Sequence, residues 1–217
     1  SVREIVATTP EVRSDSGALA KAEDVIRLQE FLSKVALNDQ RRLQDIADRL
    51  TTIRGRMNVL PPDTIQVDYQ VLLVKVMDGC VNSCGFCVAR GDSAFGIRDK
   101  DDIDRQIDAT AEVYGADLYN YNSVVIGECD ALASPLLDHA ARRSFEVFRC
   151  GDSYHAGSNL FLFATNRTLC EQSEDVFEML EGLPFEKIYV NVGWEAASDV
   201  ALAALRKQQT AEEVFQG

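Results

Sequence analysis

Apolar side chains recur in two different rhythms along this chain. Between residues 25 and 53 they fall three and four apart: Val25, Leu28, Leu32 and Val35, then, after a break at Asn38-Asp39, Leu43, Ile46, Ala47, Leu50 and Ile53. That spacing puts one apolar stripe on each of two helices. Arg41, Arg42, Asp45 and Arg49 fall on the opposite, solvated side. Pro61-Pro62 cannot continue a helix, so the pair is predicted to end before them. The first 20 residues are polar, small and aperiodic, and are expected to form a flexible arm.

From Val71 the rhythm changes to short continuous apolar runs: VLLVKV, NSVVI at 122–126, LFLFA at 160–164 and KIYVNV at 187–192. Runs of that length suit strands buried on both faces. Helical spacing separates them. Ile103, Ile107, Ala111 and Tyr114 share a face of a predicted helix over 102–114 that stops at Gly115. Ser134-Pro135 supplies an N-cap and first helical position for a helix to about Phe145. Ser173 is expected to cap a helix ending at Gly182, and Ser198 a last one reaching about Leu205. Strands alternating with helices predict βαβ units and an α/β parallel sheet. Four units are few for a closed barrel and leave a parallel edge uncovered. The expectation is therefore a fragment truncated at its C-terminus, or a chain whose remaining strands come from a partner. The predicted organisation is an arm over 1–20, a helical segment over 21–62 and a partial barrel over 63–217.

Composition narrows the function classes. The chain has 217 residues, 46% hydrophobic and 26% charged, with 22 Lys+Arg against 35 Asp+Glu and a formal net charge of −13. This is the composition of a soluble globular chain. No apolar run approaches the roughly 18 residues of a membrane span and no signal peptide is recognisable, so a cytoplasmic protein without membrane partners is expected. The acid excess argues against a duplex-DNA binder and disfavours RNA, since phosphate binding needs a concentrated basic face.

Six cysteines, at 80, 84, 87, 129, 150 and 170, favour metal binding or catalysis over a disulfide framework in such a chain. Three of them fall within Met77-Asp78-Gly79-Cys80-Val81-Asn82-Ser83-Cys84-Gly85-Phe86-Cys87, directly after the first predicted strand. The spacing is C-x3-C-x2-C with an aromatic residue before the last cysteine. Three thiolates on one loop can hold three irons of a [4Fe–4S] cube and leave the fourth iron without a protein ligand. Loops at the C-terminal ends of parallel strands are where α/β folds carry their chemistry. Gly79 and Gly85 permit the close turns. The alternative is a zinc site completed by His155 or Cys129.

This cluster resembles the hallmark of the radical S-adenosylmethionine (SAM) superfamily, and the likeness extends over about Val71 to Leu205. It implies a full or partial (β/α) barrel, a [4Fe–4S] cluster on Cys80, Cys84 and Cys87, and SAM bound to the open iron. It also implies an external one-electron reductant such as flavodoxin or ferredoxin. In that superfamily one electron cleaves SAM to methionine and a 5′-deoxyadenosyl radical, which abstracts hydrogen from a substrate; these motifs do not identify the substrate. After the second strand, Gly127-Glu128-Cys129-Asp130 resembles the glycine-rich, acidic motif for the SAM ammonium group, with either Glu128 or Asp130 as the carboxylate. After the third, Ala164-Thr165-Asn166 resembles a Thr-Asn pair lining the SAM pocket. After the fourth, Gly193-Trp194-Glu195-Ala196-Ala197-Ser198 resembles the stretch contacting SAM's ribose and methionine, with Glu195 accepting from a hydroxyl.

Two rival classes remain: an iron–sulfur electron-transfer or cluster-carrying protein that does not cleave SAM, and a non-catalytic zinc module. Cys129, Cys150 and Cys170 have no ligand spacing and read as free cysteines. His139 falls within a helix and reads as structural. His155 falls in the polar loop GDSYHAGS as a lone candidate to face substrate, and Tyr119, Tyr121 and Tyr154 fall beside strands, where packing competes with a substrate role.

Overall fold

The computed structural model describes residues 22–56, 71–80, 82–88 and 94–216. The arm expected over 1–20 and the Pro61-Pro62 stop lie outside the described residues. The chain divides into two compact units, Ser1–Leu50 and Thr51–Gly217.

In the first unit the predicted helix pair is present. Helix α1 covers Ala22–Leu37 and α2 covers Gln40–Arg54, running on into the second unit. The break between them is an N-cap: the Asp39 carboxylate accepts from the Arg42 amide at 2.9 Å. Phe31, Val35, Leu37 and Leu43 on these helices are exposed.

The second unit is mixed α/β. Strand β1 is Val71–Val74, β2 Met77–Asp78, β3 Gly96–Ile97, β4 Ser123–Ile126, β5 Asn159–Ala164 and β6 Lys187–Val192. The helices are α3 (Lys100–Tyr114), α4 (Leu137–Val147), α5 (Asn166–Glu171), α6 (Glu174–Glu181), α7 (Asp199–Ala204) and α8 (Ala211–Gln216). Strands β1, β4, β5 and β6 form one parallel sheet in that order, and β2 pairs antiparallel with β3. All four predicted strands are there, although the first ends at Val74.

Side chains alternate across the sheet, so one set faces each side. Leu72, Val74, Val124, Ile126, Leu160 and Leu162 join the main core with Ile103 and Ile107 of α3 and Ala140 and Ala141 of α4. The other set forms a row in register, Leu73, Val125, Phe161 and Tyr189. Phe161 and Tyr189 stack with ring centroids 4.9 Å apart. Burial on both faces explains why β1, β4 and β5 read as nearly unbroken apolar runs, while β6 at the sheet edge is half-buried and carries Lys187 and Asn191 among its apolar residues.

Helix ends differ from expectation in detail. Asp99, not a residue at 102, caps α3 by accepting from the Asp102 amide at 2.7 Å, and Gly115 closes it at φ +53°. Ser134 closes a short 3-10 turn, Ala131–Ala133, and its hydroxyl accepts from the Leu136 amide at 3.3 Å, while α4 starts at Leu137. Ser173 and Ser198 occupy N-cap positions without side-chain cap bonds. Helices α5 and α8 and the β2–β3 pair were not foreseen. No helix among the described residues is long and apolar enough to cross a membrane.

Candidate functional site

The C-terminal ends of β4, β5 and β6 and the cysteine loop enclose a cavity of about 460 Å³. That is within the usual range for a small-molecule site. Phe163 and Asn191 reach it from the strands. Glu128, Cys129 and Asp130 come from the turn after β4, Thr165 from the end of β5, and Gly193 and Glu195 from the turn after β6. Across from them lie Cys80, Cys84 and Cys87 with Phe86 and Val88.

The cysteine loop leaves β2 and returns at β3, so the two-residue ladder Met77↔Ile97 and Asp78↔Gly96 closes its base. Arg98 clasps that base, giving Asp78 two hydrogen bonds at 3.0 and 2.8 Å and Asp102 a third at 3.1 Å. Bidentate Arg–carboxylate pairs are among the stronger polar contacts because both bonds are charge-assisted. The tip is docked too: the Gly85 amide donates to Leu205 O at 2.8 Å. A Cβ at Gly85 would lie 3.0 Å from Nε of the Arg206 side chain.

All three loop thiols are free of disulfides. The neighbouring Cys129 thiol lowers the pKa of the Cys80 thiol, with help from the Asn82 backbone and against burial. The Cys80 thiol, together with burial, in turn drives Cys129 upward. Burial raises Cys84, partly offset by the ammonium of Lys207. Among the described residues no three His, Cys, Asp or Glu side chains are already arranged to hold a metal ion. The thiols share a wall rather than a point. As a donor set they nevertheless fit a thiolate-ligated iron–sulfur cluster, because three free thiols of one loop face one cavity.

The acidic residues fare differently. Glu128 is buried and ion-paired to Lys75 at 2.8 Å, and Lys75 also donates to Arg56 O at 2.6 Å. The Lys75 peptide is in turn gripped by Gln106, which accepts from its N–H at 2.7 Å and donates to its carbonyl at 3.0 Å. Asp130 accepts from the Thr165 amide at 3.1 Å, the Thr165 hydroxyl at 2.9 Å and the Thr168 hydroxyl. Both candidates for an ammonium partner therefore face the cavity with protein partners already in place. Thr165 lines the cavity and caps α5, accepting from the Thr168 amide at 3.1 Å.

Gly127 is not a cavity residue. It makes the turn at φ +75°, donates to Val74 O at 2.8 Å and leaves room for Ala131, whose Cβ a side chain would meet at 3.3 Å. Asn166 also stays off the wall: fully buried, it donates to Glu213 O and accepts from Trp194 Nε1 at 3.1 Å. Its role is to hold the β6 turn and α8. Glu195 does line the cavity, in the left-handed region at φ +64°, with its carboxylate 3.4 Å from Lys207 Nζ. A Cβ at Gly193 would fall 2.7 Å from Glu195 Oε1 and 2.9 Å from Lys207 Nζ, so this glycine makes room for the pair.

Lys75, Lys207 and Asn191 were missed by sequence reasoning. A lysine inside an apolar strand run signals a buried partner, and Lys75 was legible on that ground. Lys207 carried no such signal. The other sequence candidates lie elsewhere. His155, Tyr119, Tyr121 and Tyr154 precede β4 or β5 and so sit at the opposite end of strands whose far ends line the cavity. His139 bonds Asp104 at 2.6 Å between α4 and α3. Cys150 is buried, which pushes its thiol up to about 12, and Cys170 is exposed on α5. No family model, curated protein or solved structure matches this chain.

Proposed function

We propose that this chain is a radical SAM-type protein, with Cys80, Cys84 and Cys87 ligating a [4Fe–4S] cluster and SAM occupying the sheet side of the same cavity. The observation that carries the reading is positional. The three cysteines of a C-x3-C-x2-C loop and the turns after three successive parallel strands line one cavity, at the strand ends where α/β folds do their chemistry. The parallel sheet is then part of a partial (β/α) barrel, its inner face the row from Leu73 to Tyr189.

When bound, the cluster supplies the single electron that cleaves SAM reductively, drawn from an external donor of the flavodoxin or ferredoxin kind. The chain's own residues bind and orient. Glu195 accepts from a ligand hydroxyl. Lys207 sets the charge of the cavity beside the thiols. Asp130 fixes the Thr165 turn through three hydrogen bonds, and Phe163 and Phe86 supply apolar wall that excludes water. Asn166 supports the β6 turn from behind rather than touching ligand.

A cluster-carrying protein without SAM cleavage is the second reading, favoured by one observation: a fourth thiol, Cys129, lines the same cavity. Anaerobic reconstitution and reduction in the presence of SAM separates the two. Formation of 5′-deoxyadenosine, lost with iron in Cys80→Ala, Cys84→Ala or Cys87→Ala but retained in Cys170→Ala, is expected. A stable cluster that yields none favours the carrier, and a colourless zinc-loaded protein overturns both.

A further inference from the structure

We propose that Cys129 is a fourth thiol ligand of the cysteine-loop site, holding the coordination position that the three loop cysteines leave open and giving it up when an amino-carboxylate ligand binds. The inference rests on the cluster reading above and adds to it a residue with no motif spacing to announce it.

Placement is the first argument. Cys129, on the turn after β4, lines the same cavity as Cys80, Cys84 and Cys87. The second argument is rigidity. The turn is pinned by the Gly127 amide on Val74 O at 2.8 Å and by the Ala131 amide on Cys129 O at 2.8 Å. Its two acidic neighbours turn their carboxylates to protein partners, Glu128 to Lys75 and Asp130 to Thr165. Cys129 is thus held at the cavity wall by backbone bonds, on the side that faces the loop cysteines. The third argument is chemical. Three thiolates satisfy three irons of a cube, and a soft sulfur donor suits the remaining one. The other cysteines offer no rival, since Cys150 is buried in the main core and Cys170 is exposed on α5.

The exchange balances without redox chemistry. On ligation the Cys129 thiol gives its proton to water and a sulfur–iron bond forms. On displacement that bond breaks, the amine and carboxylate of the incoming ligand take the position, and the thiolate recovers a proton. No electron changes hands. A closed site of this kind protects the cluster from losing an iron while no ligand is bound.

The test uses the full chain, reconstituted anaerobically, as the parent, Cys129→Ala, the near-isosteric Cys129→Ser and the control Cys170→Ala. Iron per chain, the spectrum of the reduced cluster by electron paramagnetic resonance with and without SAM, and the yield of three-iron cluster after mild ferricyanide oxidation are measured. All four proteins are expected to load iron equally. Without SAM the two Cys129 variants should differ in spectrum from the parent and give several-fold more three-iron species, and with SAM the spectra should converge. Superimposable SAM-free spectra and equal three-iron yields overturn the proposal while leaving the loop cluster standing. A parent spectrum that SAM does not change, although it differs from the variants, overturns the displacement and makes Cys129 a permanent ligand. Absence of cluster from the parent overturns both this inference and the reading beneath it.

Discussion

The turns after β4 and β6 each bring a lysine-paired carboxylate to the same cavity, Glu128 with Lys75 behind the wall and Glu195 with Lys207 on it, yet the two pairs are built differently. In the β4 turn, Glu128 and Lys75 sit 2.8 Å apart with side chains only 3% and 11% exposed. In the β6 turn, Glu195 and Lys207 are 3.4 Å apart, and Glu195 is 32% exposed on a left-handed backbone. A buried pair is expensive to break because the survivor keeps an uncompensated charge. A partly solvated pair exchanges partners at small cost. Backbone strain in a non-glycine residue points the same way, since such conformations persist where the surroundings impose them and cluster at ligand sites. One cavity therefore contains a carboxylate that holds the fold and a carboxylate available to a ligand.

The largest expected effect comes from breaking the first pair. Glu128→Ala should destabilise the chain by roughly 3–5 kcal/mol, a fall in Tm of about 10 °C for a unit of this size. Scanning calorimetry checks it, and the double change Lys75→Met with Glu128→Leu should recover most of the loss, because an apolar pair of similar volume replaces a buried ion pair well. A Tm unaltered in Glu128→Ala would erase the contrast between the turns. The β6 turn should respond in the opposite sense. Glu195→Gly relieves about 1–2 kcal/mol of left-handed strain, so Tm should hold or rise. SAM affinity of the reconstituted protein should fall by the about 1–3 kcal/mol of a charged hydrogen bond, or roughly five- to 150-fold. Equilibrium binding at constant iron content measures this, and unchanged affinity removes Glu195 from the pocket. The smallest effect is expected from Gly193→Ala, whose Cβ pushes on the ends of Glu195 and Lys207. Overpacking a core costs about 1–3 kcal/mol, but these are tips of flexible side chains, so stability should drop by less than ~1 kcal/mol and SAM affinity by a few-fold.

The runs of β1, β4 and β5 were legible because they are mostly buried, that of the half-buried β6 because its apolar residues alternate, and the cysteine loop because its three cysteines are close in sequence. Asn166 shows where that legibility ends. Its local sequence, Thr165-Asn166 at a strand end, reads as cavity wall, and Thr165 is wall. Asn166 instead turns inward to Trp194 and Glu213, partners 28 and 47 residues away. Lys207 is similar: it sits in a charged stretch that reads as surface, and only the packing of the turn after α7 against the loop brings it to the thiols. The β2–β3 pair was missed for a different reason. At two residues per strand it has no alternation to detect, and its strength lies in the Arg98 clasp. The Ser134, Ser173 and Ser198 caps were inferred from residue type alone: Ser134 accepts from the Leu136 amide ahead of α4, whereas Ser173 and Ser198 make no side-chain cap bond.

The Arg98–Asp78 clasp has a consequence for the order in which this protein is made. It spans 20 residues, whereas the links that bring Asp130 to Thr165 and Trp194 to Asn166 wait for chain synthesised long afterwards. At about 5–20 residues per second, the base of the cysteine loop can close within seconds of Asp78 leaving the ribosome, before β5 or β6 exists. A nascent chain would then present three thiols on a closed loop while the opposite wall of the cavity is still unmade, so that closure of the loop and assembly of the sheet are separable events in the life of one molecule.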